Sequence, residues 1–285
     1  MVKIDLHIHT TASDGKKTPR EVVDWAIERG LSSIAITDHD EIAGSKEAAL
    51  YAKDKNIEVV SGIEISCFEE EFGLRDIHIV GLFVNHDDER ILSFVNEMNQ
   101  CRIKEKKGII NKLNDLGYDI SFEELKLEVN GGSFGRPHVA NILFRKYSDK
   151  FETYGQIFDE LLGNGKLAHV VREGVYDMKR AIDLIHDSGG IAILAHPGVY
   201  GCDVEELINL FAKLGGDGIE VDYNYEKFGE IDLEEFYGKL REIAKEKNLL
   251  ISGGTDFHKE LTHKNIGEHG VSEEEFDVLK SAVNS

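Results

Sequence analysis

Residues 3–9 read Lys3-Ile4-Asp5-Leu6-His7-Ile8-His9, an apolar run that ends in two histidines two positions apart. Side chains at this spacing on a β-strand point to the same face, so the two imidazoles can converge on one ion. Similar β-branched runs recur along the chain, mostly with helical patterns between them. The predicted strands are Lys3–Leu6, Ser33–Thr37, Glu58–Glu64, Ile77–Phe83, Ile191–Ala195, Gly218–Val221 and Leu249–Ser252.

Strands that alternate with helices predict a parallel sheet. The stretch Thr18-Pro19-Arg20-Glu21 is typical of a capping box with proline at the first helical position, and Asp203 with Glu206 has similar cap spacing. Polar residues collect at the ends of many strands, which is where a barrel assembles its active site. The pattern therefore favours an α/β barrel over an open sheet.

The alternation stops between the fourth and fifth predicted strands. Residues 88–176 read as several helices, including the charged stretch 99–116 and a helix start at Ser121-Phe122-Glu123-Glu124. A segment of this length between two strands is most simply a helical insertion. We therefore predict a barrel formed by residues 1–87 and 177–285, with 88–176 inserted into it.

Imidazole and carboxylate groups lie at or just beyond the ends of six predicted strands. A single histidine of this kind is more often an ordinary polar residue, but so many buried polar groups need partners, and metal ions would supply them. Mixed nitrogen and oxygen ligands suit zinc, manganese or iron. The candidate ligands are His7, His9, Asp14, His39, Glu64, His78, His196, Asp256 and His258.

The motifs around these residues resemble those of the polymerase and histidinol phosphatase (PHP) family of metal-dependent phosphoesterases. The motifs, in the family's order, are His7-Ile8-His9, Thr37-Asp38-His39-Asp40, Gly62-Ile63-Glu64-Ile65-Ser66, Ala195-His196-Pro197-Gly198 and Gly254-Thr255-Asp256-Phe257-His258. The resemblance implies a distorted (β/α)7 barrel with a helical insertion and three divalent metal ions. It also implies metal-activated hydroxide attack on phosphorus, with Asp256, Glu64 and His196 as catalytic residues.

The resemblance also implies how the ligands are shared among the three ions. The first ion is expected at His7, His9, Glu64 and Asp256. Glu64 is expected to bridge to the second ion, which His78 and His196 also bind. The third ion is expected at Asp14, His39 and His258.

Two further stretches are similar to one branch of that family, which removes phosphate from nucleoside 3′,5′-bisphosphates and trims short oligonucleotides from the 5′ end. They are Asp76-Ile77-His78-Ile79-Val80-Gly81 and Gly135-Arg136-Pro137-His138. Arg136 offers a planar fork for two phosphate oxygens, and His138 can add a donor from the same loop. The alternative from spacing alone is that Arg136 pairs with a neighbouring acid and His138 caps the following helix.

Composition restricts the partners. With 33 basic and 54 acidic side chains, the formal charge is −21, which argues against binding long nucleic acid or anionic lipid through a broad basic surface. We predict a small phosphorylated substrate, a nucleotide or short oligonucleotide, captured by the metal ions. The sequence shows neither a signal peptide nor a membrane span, and its three cysteines are far apart, so a cytoplasmic location is expected.

Three other functions agree less well with these residues. A histidinol-phosphate phosphatase would use the same metal ligands, but the motif with Arg136 and His138 favours a nucleotide substrate. A non-catalytic metal-bound scaffold, like the PHP domains attached to some polymerases, would be expected to lose ligands, and none is missing here. A nucleic-acid-binding module is disfavoured by the charge. Tyr223 and Tyr225 are candidates for stacking on a base or, equally, for packing in the core.

Overall fold

The computed structural model describes residues 3–129, 132–225, 232–259 and 265–283, without the side chains of Arg75 and Asp76. The chain forms two compact units. The first comprises Met1–Phe94 and Tyr176–Ser285, and the second comprises Val95–Val175. The insertion predicted over 88–176 spans the second unit, and its role as a separate domain stays a prediction.

Eight strands form one sheet. They are β1 (Ile4–Ile8), β2 (Ser33–Ile36), β3 (Glu58–Glu69), β4 (Leu74–Leu82), β5 (Tyr176–Asp177), β6 (Ile191–Leu194), β7 (Gly218–Asp222) and β8 (Leu250–Gly253). Seven of them follow the order β1-β2-β3-β4-β6-β7-β8, and the short β5 pairs with β3 off this path.

The segment after β8 returns to β1. The Asp256 N–H donates to the His7 carbonyl at 2.8 Å, and the His9 N–H donates to the Phe257 carbonyl at 3.0 Å. The first and last strands of the path are therefore linked through this segment. This arrangement confirms the predicted distorted (β/α)7 barrel.

The parallel sheet predicted from the sequence is wrong at β4. This strand is antiparallel to both β3 and β6, whereas the other neighbouring strands on the path are parallel. The reason is the connection: β3 continues to Glu69 and only a short turn separates it from Leu74. A parallel pair needs a crossover of about a dozen residues or more, so the apolar run at Ile77–Phe83 becomes the second arm of a hairpin.

The described ranges contain ten α-helices. They are α1 (Pro19–Glu28), α2 (Ala43–Tyr51), α3 (Glu89–Asp115), α4 (Phe122–Val129), α5 (Arg136–Lys146), α6 (Tyr154–Ile157), α7 (Met178–Asp187), α8 (Val204–Lys213), α9 (Leu233–Lys247) and α10 (Glu273–Val283). A π-helical turn covers Phe158–Leu162, and a 3₁₀ turn covers Pro197–Val199.

The helix signals read from the sequence are confirmed. Thr18 forms a reciprocal capping box with Glu21 at the start of α1. Asp203 accepts from the backbone N–H groups of Glu205 and Glu206 at the start of α8. These side chains satisfy amide groups that have no partner inside the helix.

Each unit has its own apolar core. In the first unit, one buried cluster joins β1, β2, β3, β4 and β6 to α10, and a second joins Ile8 and β2 to α1 and α2. In the second unit, a separate cluster is formed by residues from Ile109 to Ala168. No helix in the described ranges is long and apolar enough to cross a membrane.

Candidate metal centre

All nine predicted ligands lie in the first unit, and the structure brings them together. His7 lies in β1 and His9 is the first residue after this strand, and their Nε2 atoms are 3.2 Å apart. The two imidazoles therefore converge, as their i, i+2 spacing predicted. His39 follows β2 and forms an isolated bridge with Glu64 of β3.

Two ligands reach this cluster from inside strands. Glu64, predicted to end its strand, lies in the middle of β3, but the ladder with β2 stops earlier, at the Ile36–Ser61 pair. His78 is the central residue of β4, where its carbonyl accepts from the N–H of Ala195 just after β6. Because β4 runs in the opposite direction, this residue lies beside the carboxyl ends of β3 and β6.

Two other ligands occupy strained backbone positions. His196 has φ +33° and Asp256 has φ +52°, in the left-handed region that favours glycine. Such conformations cost about 1–3 kcal/mol each and persist where the surrounding structure fixes them. His196 lies two residues after β6 and Asp256 three residues after β8, so these tight backbone turns aim their side chains at the cluster.

Glu64 is at the centre of the site, with a fully buried side chain. Its Oε1 lies 3.0 Å from His78 Nδ1, 3.3 Å from His196 Nε2 and 3.3 Å from His7 Nε2. Its Oε2 lies 2.8 Å from His39 Nδ1 and 3.2 Å from His9 Nε2. One carboxylate therefore faces five imidazoles.

The remaining two carboxylates extend the cluster. Asp256 Oδ1 lies 3.0 Å from His9 Nε2 and 3.5 Å from His7 Nε2. Asp14 Oδ1 lies 3.3 Å from His258 Nε2. His258 in turn has its Nδ1 2.9 Å from the backbone carbonyl of Asp256.

The donor set fits cations because acceptor atoms face one another. The carbonyl of Asp256 can only accept, so His258 Nδ1 carries a proton, and Nε2 is the ring nitrogen that faces Asp14. Among the described residues, buried Asp14 Oδ1, Glu64 Oε2 and His39 Nδ1 also lack a partner of hydrogen-bond geometry. Buried polar atoms without partners are costly, and divalent ions would satisfy them.

The charges of the cluster shift its protonation. Burial raises the pKa of Glu64, but the charges of His78, His39 and His7 outweigh burial and hold that pKa well below its usual range. Burial lowers the pKa of His258, yet Asp14 and Asp256 raise it to about 10. The carboxylates are thus kept ionised, as metal ligands must be.

The ligand atoms form overlapping sets, each with all of its atoms within 4.8 Å of one another. The sets are His9-Asp14-His39-His258, His7-His9-Asp256, His7-Glu64-His196 and His39-Glu64-His78. His7, His9, His39 and Glu64 each belong to two sets. The residues therefore permit several divisions among ions, and the division into three ions stays a prediction.

Comparison with known proteins identifies the family. The model of the PHP domain matches residues 5–191. The chain belongs to the PHP family.

Relatives match along nearly the whole PHP chain. A 5′-3′ exoribonuclease of Haemophilus influenzae is 38% identical over 90% of each chain. A 3′,5′-nucleoside bisphosphate phosphatase of Chromobacterium violaceum is 31% identical over 90% of this chain and 88% of its own. The solved structure of a C. violaceum amidohydrolase superposes with a TM-score of 0.83 at 28% identity, covering 98% of this chain and 96% of that one.

Sequence reasoning missed the residues that support the PHP ligands. Glu220 of β7 contacts His7 Nδ1 through Oε1 at 2.8 Å. The Tyr223 hydroxyl donates to Asp256 Oδ2 at 3.1 Å. A carboxylate inside the apolar run of β7 was the available signal, because a buried charge needs a partner.

Two loops of the PHP site are fixed by buried aspartates. Asp38 accepts from the backbone and hydroxyl of Thr10 and from the Ser13 hydroxyl, all within 2.7 Å, in the loop that carries Asp14. Asp5 accepts from Thr255 and from the Gly267 N–H, which ties the segment after β8 to β1. Burial raises the pKa of Asp5 to about 6 against these lowering hydrogen bonds.

The predicted phosphate-binding residues lie in the second unit of the PHP chain. Arg136 donates to Asn164 Oδ1 at 2.8 Å and to the Leu162 carbonyl at 3.3 Å. His138 Nδ1 accepts from the Gly135 N–H at 3.0 Å, so it caps α5 as the alternative interpretation expected. Their role in substrate binding stays a prediction.

Tyr223 and Tyr225 do not fit the base-stacking interpretation. Both side chains are buried, and their rings pack 5.0 Å apart between centroids. Tyr225 also packs against Phe236 at 4.8 Å. These tyrosines belong to the packing beneath the PHP site.

Proposed function

We propose that this protein is a metal-dependent phosphoesterase that hydrolyses phosphate esters of nucleotides. The observation that carries the proposal is the convergence of six imidazoles and two further carboxylates around the buried Glu64. A surface cluster would be satisfied by water, but this one is enclosed and rich in acceptors. It is therefore suited to binding cations rather than to packing.

The relatives support the same chemistry. One is named for 5′-3′ exoribonuclease activity and the other for dephosphorylation of nucleoside 3′,5′-bisphosphates. Both reactions cleave an ester bond to phosphorus. We propose nucleoside 3′,5′-bisphosphates and short oligonucleotides, trimmed from the 5′ end, as the substrates of this chain.

The nine predicted ligands would bind the metal ions in overlapping sets. We propose three divalent ions, manganese, zinc or iron, bound by the overlapping ligand sets. Such ions, when bound, polarise phosphoryl oxygens and lower the pKa of water. Glu64 presents one oxygen to His7, His78 and His196 and the other to His9 and His39, so it holds the sets in register. The Tyr223 hydroxyl fixes the second oxygen of Asp256.

Outside the metal centre, we propose that Arg136 and His138 bind a phosphate group of the substrate. Arg136 has a planar guanidinium suited to two phosphate oxygens. His138 is anchored through Nδ1 at the start of α5, which holds its ring on that turn. The net charge of −21 restricts the partner to a small ester or a chain end, and a cytoplasmic location remains our expectation.

The test is a panel of substrates assayed with manganese, zinc and iron separately. Phosphate release from adenosine 3′,5′-bisphosphate and nucleotide release from short 5′-phosphorylated oligonucleotides are the expected results. Faster release from histidinol phosphate would instead identify a histidinol-phosphate phosphatase. Stoichiometric metal binding without turnover of any ester would indicate a non-catalytic scaffold.

A further inference from the structure

β7, the sixth strand along the path, supplies no predicted metal ligand, yet it carries a buried carboxylate. Glu220 lies in the middle of the run Gly218-Ile219-Glu220-Val221-Asp222 and is only 1% exposed. Burying an ionised carboxylate is costly unless its oxygens are paired. Both oxygens of Glu220 are paired, each with a residue predicted to be a ligand.

The first oxygen fixes which nitrogen of His7 carries the proton. Glu220 Oε1 lies 2.8 Å from His7 Nδ1. A carboxylate can only accept, so Nδ1 must be the N–H donor. In the neutral ring, Nε2 then presents its lone pair to Glu64 Oε1 at 3.3 Å and Asp256 Oδ1 at 3.5 Å. A cation bound between these three acceptor atoms would satisfy all of them.

The second oxygen fixes the backbone of another ligand. Glu220 Oε2 accepts from the N–H of His196 at 2.8 Å. His196 has a backbone φ of +33°, a conformation that residues other than glycine rarely adopt. Its Nε2 lies 3.3 Å from Glu64 Oε1. The hydrogen bond from Glu220 thus holds a strained residue whose ring faces the centre.

We propose that Glu220 is a positioning residue of the metal centre, which sets the tautomer of His7 and the backbone of His196 together. This inference rests on the proposed function, since it assigns a role toward the bound ions. Partners of this kind orient metal-binding histidines and raise their basicity. They also link ligands that are far apart in sequence, here from β1 and from the segment after β6.

Glu220→Gln separates this role from simple packing. The amide keeps the size of the side chain but has only one oxygen acceptor. It cannot accept from both His7 Nδ1–H and the His196 N–H. If the amide nitrogen faces His7, it forces the proton onto Nε2 and removes the lone pair that binds metal.

The experiment measures Mn²⁺ affinity and the occupancy of each ion by anomalous scattering from crystals. We expect Glu220→Gln to weaken binding at the sets that contain His7 by about 10–100-fold. Binding at Asp14, His39 and His258 should persist. Equal affinities of the wild type and the variant would overturn the role of Glu220 alone, whereas a wild type that binds none of Mn²⁺, Zn²⁺ and Fe²⁺ would overturn the proposed function as well.

Asp222→Asn is the matched control. Asp222 is also in β7, and its Oδ1 lies 2.8 Å from the imidazole Nδ1 of His269. His269 belongs to none of the candidate ligand sets found among the described residues. Mn²⁺ affinity should therefore remain at the wild-type value in this variant, and an equal loss in both variants would indicate a general effect on β7 and overturn the proposal.

A second measurement needs no variant of Glu220. Long-range ¹⁵N NMR correlations on the Zn²⁺-loaded wild type report which nitrogen of each histidine carries a proton. His7, assigned through the signals lost in His7→Asn, should be protonated at Nδ1. A His7 ring protonated at Nε2 would overturn the proposal even if Glu220→Gln failed to fold.

Discussion

Two regions of the molecule bury charged side chains, and they do so in opposite ways. In the metal centre, oxygen and nitrogen acceptors face one another around Glu64. In the second unit, Glu105 Oε2 instead accepts from Lys106 Nζ at 2.9 Å and from Arg172 Nε at 2.8 Å. Lys106 is only 1% exposed and Glu105 only 5%. Burial is thus common to both regions, but only the second supplies its own cations.

The difference is useful for recognising a functional site. Within the described residues, the buried atoms without hydrogen bonds include several of the metal centre and none from Glu105, Lys106 or Arg172. A charge cluster whose donors match its acceptors is explained by structure alone. A cluster whose acceptors converge needs something from solution, and this mismatch distinguishes a binding site from a buried ion pair.

The largest expected effect comes from removing a carboxylate from the metal centre. Asp256→Ala should lower kcat for phosphate release by about a thousandfold or more, because several kcal/mol of metal-dependent stabilisation would be lost. Circular dichroism should show an intact fold. Asp222→Ala removes a carboxylate from outside the ligand sets and should retain turnover, so retained turnover in Asp256→Ala as well would contradict the assignment of the ligands.

Breaking the buried cluster of Glu105, Lys106 and Arg172 should lower stability rather than activity. Glu105→Ala leaves Lys106 and Arg172 without the carboxylate that they share, and we expect a loss of about 3–5 kcal/mol in the free energy of unfolding. Urea denaturation followed by tryptophan fluorescence and circular dichroism measures it. The exposed pair Lys126–Glu123 in α4 provides the control, since Glu123→Ala should cost less than about 1 kcal/mol.

Arg136→Ala tests the second unit for substrate recognition. We expect KM for adenosine 3′,5′-bisphosphate to rise about tenfold, as the loss of a charged hydrogen bond of about 1.5 kcal/mol implies. The KM for a generic aryl phosphate should change less. Arg145→Ala, in the same helix and exposed, is the control. An equal rise for both substrates would argue against selective phosphate binding by Arg136.

Lys106 should also make the stability of the protein depend on pH. Burial lowers its pKa to about 7, with Arg172 and Arg102 contributing to the decrease and Glu105 opposing it. Between about pH 7 and the ordinary lysine value of 10.5, the unfolded state binds the extra proton, so this residue makes stability rise with pH over that window. Lys106→Met should flatten the rise in denaturation midpoints, and an unchanged slope would show that Lys106 does not cause it.

Much of the fold was predictable because its signals are local. The strand runs and the caps at Thr18 and Asp203 depend on neighbouring residues. The direction of β4 could not be predicted, because it depends on whether a hairpin or a crossover connects it to β3. Glu64 was identified as a ligand, but its place in the middle of β3 follows from that same hairpin.

The candidate site residues could be predicted where the residue type itself indicates metal binding. Histidines and acids near strand ends predict nine ligands, and the structure brings these nine residues together. The contact of Glu220 with His7 joins residues 213 positions apart, and an apolar run around Glu220 reads as an ordinary buried strand. The division of ligands among ions also cannot be predicted from the sequence, because the ligand sets overlap in space.

The return of the chain from β8 to β1 gives the metal centre a mechanical consequence. His7 and His9 come from the first strand, whereas Asp256 and His258 come from the segment that closes the sheet. Ions held by both would act as a reversible cross-link between the two ends of the chain, stabilising the closed barrel by their binding free energy. The amide hydrogens of His9 and Asp256, which join β1 to the segment after β8, should then exchange with solvent more slowly as metal is added. The metal concentration would thus set how stably the barrel is closed.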